Sequence, residues 1–193
     1  MIQFIPESHT YLVNGVIVPS VTGIVTKILG TAYDAVPRAV LNRKAEYGTR
    51  VHEWLKAYFL NEELPPVTDT MALSTDQVPS IARYHKIECI SAELPVAYKQ
   101  TVAGTFDLLA YVDGEVSLVD HKTTAAYHEE YLRWQCALYS LCIEHTFGIT
   151  PTASYCLWLP KNKRAQLIPV TPHSREETIE MLEQVTDETE LAY

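Results

Sequence analysis

Apolar residues along this chain change their spacing near residue 90, from a helical period to runs suited to strands, and change back near residue 128. The opening stretch, from Gln3-Phe4-Ile5 to Tyr11 through Val18, carries short β-prone runs with an Asn14-Gly15 pair between them, which predicts a small hairpin. Ser20 is placed to cap a helix whose apolar face is Ile24, Ile28 and Leu29 and whose end is Gly30. A longer helix is predicted from about Pro37 to Leu60, apolar through Val51, Trp54, Leu55, Tyr58 and Phe59, with Gly48 as an unfavourable residue in its middle. Pro65-Pro66 marks a loop, and a helix near Asp76 to Lys86 follows.

Three strands are then expected over Ser91 to Gln100, Gly104 to Val112 and Glu115 to Lys122, the last two joined by an Asp113-Gly114 turn. A helix from about His128 to Phe147, a hairpin over Thr152 to Leu159 and Arg164 to Val170, and a terminal helix capped by Ser174 complete the chain. Phe106, Leu108, Leu109, Ala110, Tyr111, Leu118 and Val119 make the central strands apolar on both faces, the pattern of a sheet covered on both sides. The expected class is α/β, a mixed central sheet flanked by helices, within a length that suits one domain.

The central hairpin carries the candidate chemistry. A two-residue turn at Asp113-Gly114 sets Val112 against Glu115 and Leu109 against Leu118, so Asp107 should stand across from Asp120. Like charges at a cross-strand separation of roughly 4.5–5.5 Å destabilise the pair unless something positive joins them. A divalent cation meets that need, and carboxylate oxygens suit Mg²⁺ or Mn²⁺. Alternation puts Lys122 on the face of Asp120, while His121 should point away and keep only its carbonyl near the site. Glu93, on the preceding strand, comes opposite Asp107 if the turn is centred near Gln100, but no glycine marks that turn and a one-residue slip would reverse its facing. An ammonium beside a cation and three acids can stabilise charge developing on a phosphate, which points to phosphodiester hydrolysis.

Charge pulls the other way. The formal net charge is −9, whereas phosphate binding draws on clustered Lys and Arg. From Arg175 to the end seven acids stand against one base and read as a solvated helix face, so the deficit is not concentrated where the proposed site lies. The four cysteines, Cys89, Cys136, Cys142 and Cys156, contain no C-x-x-C pair and are expected to be buried free thiols. With no apolar run of membrane-spanning length and no signal-peptide pattern at the amino end, a soluble, cytoplasmic protein is expected.

Four fragments stand in order on suitable elements: Gly48-Thr49-Arg50-Val51-His52, Gly104-Thr105-Phe106-Asp107, Asp120-His121-Lys122-Thr123-Thr124 and Gln135-Cys136-Ala137-Leu138-Tyr139. Together they resemble the RecB-like branch of the PD-(D/E)xK nuclease superfamily, and Pro19-Ser20-Val21-Thr22 is similar to the start of phage and mitochondrial genome maintenance exonucleases. The resemblance implies a restriction-endonuclease-like core over residues 1–193. It also implies a metal held by His52, Asp107, Asp120 and the carbonyl of His121, with Lys122 catalytic and Glu93 as the acid of the first core strand. Gln135 and Tyr139 would contact DNA phosphate, orient Lys122 or simply make structural hydrogen bonds. Ser20 and Thr22 would hold a phosphate or act as ordinary caps. Tyr47, Trp54, Tyr58 and Phe59 would stack bases or pack in the core. DNA is the implied substrate, with room for a replication or recombination protein as partner. The activity implied is a metal-dependent exonuclease on single strands or DNA ends, with a non-cleaving scaffold of the same fold as the alternative. Cysteines of the iron-sulfur members precede the helical His and cluster near the carboxyl end; here none precedes Cys89 and none follows Cys156, so no cluster is expected.

Overall fold

The computed structural model describes residues 1–30, 38–161 and 163–190, with side chains to residue 186. The expected helix start at Pro37 and the acids Asp187, Glu188 and Glu190 of the terminal helix lie outside what is described in side-chain detail. Strands β1 (Ile2–Ile5), β2 (Thr10–Val13) and β3 (Val16–Val18) form an antiparallel meander. Helices α1 (Val21–Leu29) and α2 (Arg38–Phe59) follow, then α3 (Asp69–Thr75) and α4 (Val78–Tyr84). The second sheet runs in the order β4 (Glu88–Tyr98), β5 (Val102–Val112), β6 (Glu115–Lys122), β7 (Ala153–Trp158), β8 (Gln166–Val170), with α5 (Glu129–Phe147) crossing between β6 and β7 and α6 (Arg175–Glu190) last. Only β6 and β7 are parallel, so the sheet is mixed, as expected.

Both faces of this sheet are buried. Val21, Ile24 and Val25 of α1, Leu132, Leu138 and Ile143 of α5, and Leu182 and Val185 of α6 pack with Phe106, Leu109 and Leu118 on one side. Val51, Trp54, Leu55 and Phe59 of α2, Met71 of α3 and Val78 and Ala82 of α4 cover Leu108, Ala110, Val112 and Val119 on the other. The meander docks separately, through Tyr11, Val13 and Val18 against Ala97 and Ala103, and the Tyr11 hydroxyl is 3.0 Å from that of Thr105.

Local signals account for most boundaries. Ser20 Oγ accepts the Gly23 amide at 3.0 Å, and Gly30 ends α1 at φ 78°. At the other end of the chain Ser174 and Glu177 form a reciprocal capping box, the hydroxyl accepting the Glu177 amide and the carboxylate accepting the Ser174 amide. Asp113 and Gly114 take φ 51° and 91°, the left-handed pair that a two-residue hairpin turn requires. Gly48 does not interrupt α2, whose buried face outweighs its propensity cost. Two expectations need correction. The helix expected over Asp76 to Lys86 is present as α4, Val78–Tyr84, but α3 (Asp69–Thr75) precedes it where no helix was expected, because seven residues are too few to give a periodic signal. The first core strand begins at Glu88 rather than Ser91, since a register shift between Cys89 and Ser91 breaks the alternation there. All four cysteines are free; Cys89 is only half-buried, because that irregular strand end is less covered than the core. No helix among the described residues is long and apolar enough to cross a membrane.

Candidate active site

The β5–β6 ladder runs from Val112↔Glu115 to Leu108↔Val119, which is the register expected from the turn. Where Asp107 and Asp120 come next, the backbone ladder stops. Asp107 Oδ2 instead accepts the His121 amide at 2.6 Å, and its Oδ1 lies 3.2 Å from His52 Nδ1. Asp120, 3% exposed, has Lys122 Nζ 2.7 Å from its Oδ2, off hydrogen-bond geometry. The two aspartates thus occupy neighbouring positions but face different cations. On the other flank, Ala92↔Leu108 and Leu94↔Phe106 bracket Glu93 against Asp107, and Glu93 Oε1 is 3.8 Å from His52 Nδ1. Lys99, at φ 52°, takes the left-handed conformation in the β4–β5 turn that a glycine would otherwise mark. Glu93 itself adopts φ 53°, an uncommon conformation for a residue with a Cβ inside a strand, and such strain tends to collect at functional sites.

His121 departs from expectation. It does point to the face opposite Asp120 and Lys122, but α2 packs there, and its ring lies 5.7 Å from that of His52 and 6.0 Å from that of Phe59, nearly parallel to the latter. One ligand atom each from His52, Asp107 and His121 lies within 4.8 Å of the others. The side chain therefore lies beside His52 and Asp107 rather than away from the candidate site. It is 2% exposed, and neither ring nitrogen has a hydrogen-bond partner.

The electrostatics follow from burial and these neighbours. Burial opposes the His52 imidazolium, yet Asp107 and Glu93 overcome it and raise its pKa to about 10. Burial would raise Asp107 as well, but His52 and Lys122 hold it well below the usual carboxylate range. Asp120 rises to about 6, through burial and the charge of Asp107, against the pull of Lys122. Burial lowers His121 to about 4, so its ring is neutral near pH 7. Lys122 is driven above its ordinary value by Asp120 and Asp107 despite burial and stays an ammonium. Without metal, His52 thus adds stability in full below its ordinary 6.5 and loses it as pH rises toward about 10. In EDTA, the Tm advantage of the wild type over His52→Gln should shrink from pH 6 to pH 10; an advantage that grows over that range contradicts the ion-pair assignment.

Three buried polar atoms without hydrogen bonds, Asp120 Oδ2 and the two His121 nitrogens, stand among acids that burial forces together. That donor set fits a divalent cation. The remaining sequence candidates lie around it. Gln135 and Tyr139 are on the buried face of α5, 4% and 6% exposed, with Gln135 Oε1 lacking a hydrogen bond. A Cβ added to Gly104 would stand 2.8 Å from the Tyr139 ring, so the glycine makes room for that tyrosine. Ser20 and Thr22 lie at the start of α1 with hydroxyls 3.2 Å apart, and Ser20 serves as the cap. Of the four aromatics in α2, Trp54 and Phe59 are buried and Trp54 stacks on Tyr58, while the Tyr47 hydroxyl is 3.0 Å from Ser74 Oγ.

The sequence did not reveal a cavity of about 780 Å³ whose wall includes Lys122, Tyr127, Tyr131, Leu132, Trp158 and Leu29. Trp158 is the parallel partner of Lys122, its indole N–H donates to the Thr124 carbonyl at 2.8 Å, and Tyr127 meets it edge-on. No local pattern announces a pairing across the α5 crossover, which is why these aromatics escaped notice.

A family model of the PD-(D/E)XK nuclease superfamily matches residues 71–192, more than half of the sequence, and the chain belongs to that superfamily. Its mixed five-stranded sheet with helices on both faces is the restriction-endonuclease-like core. No curated protein matches the chain. Among solved structures it is similar to a Eubacterium rectale protein whose assignment as an exonuclease is itself provisional, with 13% identity, 85% of this chain and 70% of that one covered and a TM-score of 0.49. It is also similar to a protein designated SSO0001, with 10% identity, 84% and 81% coverage and a TM-score of 0.36. At such scores the fold assignment stands on the family match and the sheet order.

Proposed function

We propose that residues 1–193 form a single metal-dependent DNA nuclease domain, an exonuclease of the RecB-like branch acting on single strands or DNA ends. The observation that carries this reading is a half-buried lysine paired at 2.7 Å with a buried aspartate, beside a second carboxylate on the neighbouring strand that is itself engaged by a histidine. His52, Asp107, Asp120 and the backbone carbonyl of His121 would hold Mg²⁺ or Mn²⁺. Such a cation supplies Lewis acidity at the scissile phosphate. Glu93 adds negative charge on the His52 side, within 3.8 Å of the imidazole. Lys122, kept charged by Asp120, stabilises the negative charge that builds on the phosphoryl oxygens as water attacks phosphorus and the P–O bond to the leaving strand breaks. Gln135, whose buried Oε1 has no hydrogen bond, and Tyr139, packed on Gly104, would contact a DNA phosphate or orient Lys122.

The aromatic cavity beside Lys122 favours an unpaired strand, because an unstacked base can enter it while its phosphate stays at the lysine. Stacking is worth roughly 1–3 kcal/mol per base. Tyr127→Ala should therefore weaken single-stranded DNA binding about tenfold and duplex binding much less; an equal loss on both removes the cavity from this reading. The reading as a whole is tested with Mn²⁺ on DNA labelled at either end, as single strand, blunt duplex and closed circle. Release of nucleotides from ends with circles intact supports it. Cleaved circles indicate an endonuclease, and tight binding without any cleavage indicates the scaffold that the net charge of −9 keeps in view.

A further inference from the structure

A buried neutral imidazole carries one N–H and one lone pair, and leaving either unmade costs about 1–3 kcal/mol. His121 leaves both unmade, at 2% exposure, on a strand where a phenylalanine would supply the same stacking on Phe59 without that cost. Such an orphan calls for a bound partner or a role in a site. The ring is not adrift: Phe59 lies nearly parallel to it, His52 meets it at 71°, and Asp107 Oδ2 fixes its own amide at 2.6 Å. These constraints bring a His121 ligand atom within 4.8 Å of ligand atoms of His52 and Asp107. Ligands on one ion at about 2.0–2.2 Å stand roughly 3–4.4 Å apart, so small rotamer adjustments would close the three around a cation.

We infer that the imidazole of His121 is a metal ligand alongside His52 and Asp107, making a mixed nitrogen and oxygen site that takes Mn²⁺ in preference to Mg²⁺. This deepens the metal assignment made above and rests on it. Mg²⁺ prefers oxygen ligands and sheds water reluctantly, whereas first-row transition cations accept imidazole readily. Two imidazoles therefore discriminate more strongly than the single His52 imidazole in a site completed by carboxylates and the His121 carbonyl. The role depends on a histidine between Asp120 and Lys122 and on α2 bringing His52 and Phe59 to the same face.

The test needs no DNA, so an absence of cleavage and an absence of this coordination are separate results. Titration calorimetry of the wild-type protein should give a Kd for Mn²⁺ at least tenfold below that for Mg²⁺. Pulsed EPR of bound Mn²⁺ should show ¹⁴N couplings from two imidazoles. His121→Phe keeps the ring on Phe59 but removes both nitrogens; it should weaken Mn²⁺ binding about 10–100-fold, leave Mg²⁺ within threefold, and reduce the ¹⁴N signal to one imidazole. Unchanged Mn²⁺ affinity in His121→Phe, or equal weakening of both ions, overturns the inference. If that variant does not fold, the wild-type spectrum decides alone: couplings from fewer than two imidazoles overturn it, while leaving a carboxylate-held metal in place.

Discussion

Lys122→Met lowers the single-turnover rate of DNA cleavage about 10²–10³-fold at saturating Mn²⁺, the range set by loss of one preorganised donor to a developing oxyanion. Methionine keeps the stem against Trp158 and removes only the charge. Asp120 then loses the ammonium that holds it down, so part of the loss reflects an acid whose pKa rises further above its already elevated value of about 6. Lys122→Met/Asp120→Asn should consequently cost little more than the worse of its two single variants, because the pair acts as one unit. Asp107→Asn should be at least as damaging, since it takes a charge from His52 and a ligand from the proposed cation together. Rates within threefold of wild type for Lys122→Met, with the Tm unchanged, would remove the lysine from the chemistry.

Gly104→Ala lowers stability by about 1–3 kcal/mol, the usual penalty for forcing a carbon into a filled core. The upper part of that range is expected because the new methyl meets a Tyr139 ring atom at 2.8 Å and Val21 Cγ2 at 3.1 Å, both on buried side chains. The substitution is unlike a turn glycine, since no unusual backbone angle is involved; space alone decides it. Tyr139→Leu should recover part of the loss when combined with Gly104→Ala, and urea denaturation of the four proteins measures the coupling. Additive effects would mean that the tyrosine yields without cost.

Hairpin geometry explains why so much of the site could be read early. Turn residues at Asp113-Gly114 dictate which residues of β5 and β6 face one another, and alternation then puts Lys122 beside Asp120. The β4 register was less legible, because Lys99 adopts without a glycine the backbone that a glycine would have signalled, and Glu93 reaches His52 through its own left-handed conformation. Alternation also misjudged His121. It predicts direction correctly but says nothing of what packs on the far face, and there α2 brings His52 and Phe59 to meet the ring. Trp158 and Tyr127 were invisible for a related reason: β6 and β7 meet only after the α5 crossover, so the wall beside Lys122 is set by tertiary packing that no short pattern encodes.

The β4–β5–β6 meander joins its strands by tight turns, whereas His52, on α2, lies more than thirty residues upstream of that meander. Near-neighbour pairings close with little loop entropy and tend to form ahead of distant ones. Glu93, Asp107 and Asp120 would then crowd together before the imidazole that offsets them docks, building repulsion into the route toward the native state. Refolding in stopped flow should speed up when Mn²⁺ is present from the start, and a rate indifferent to the ion would place the docking of α2 before the meander closes.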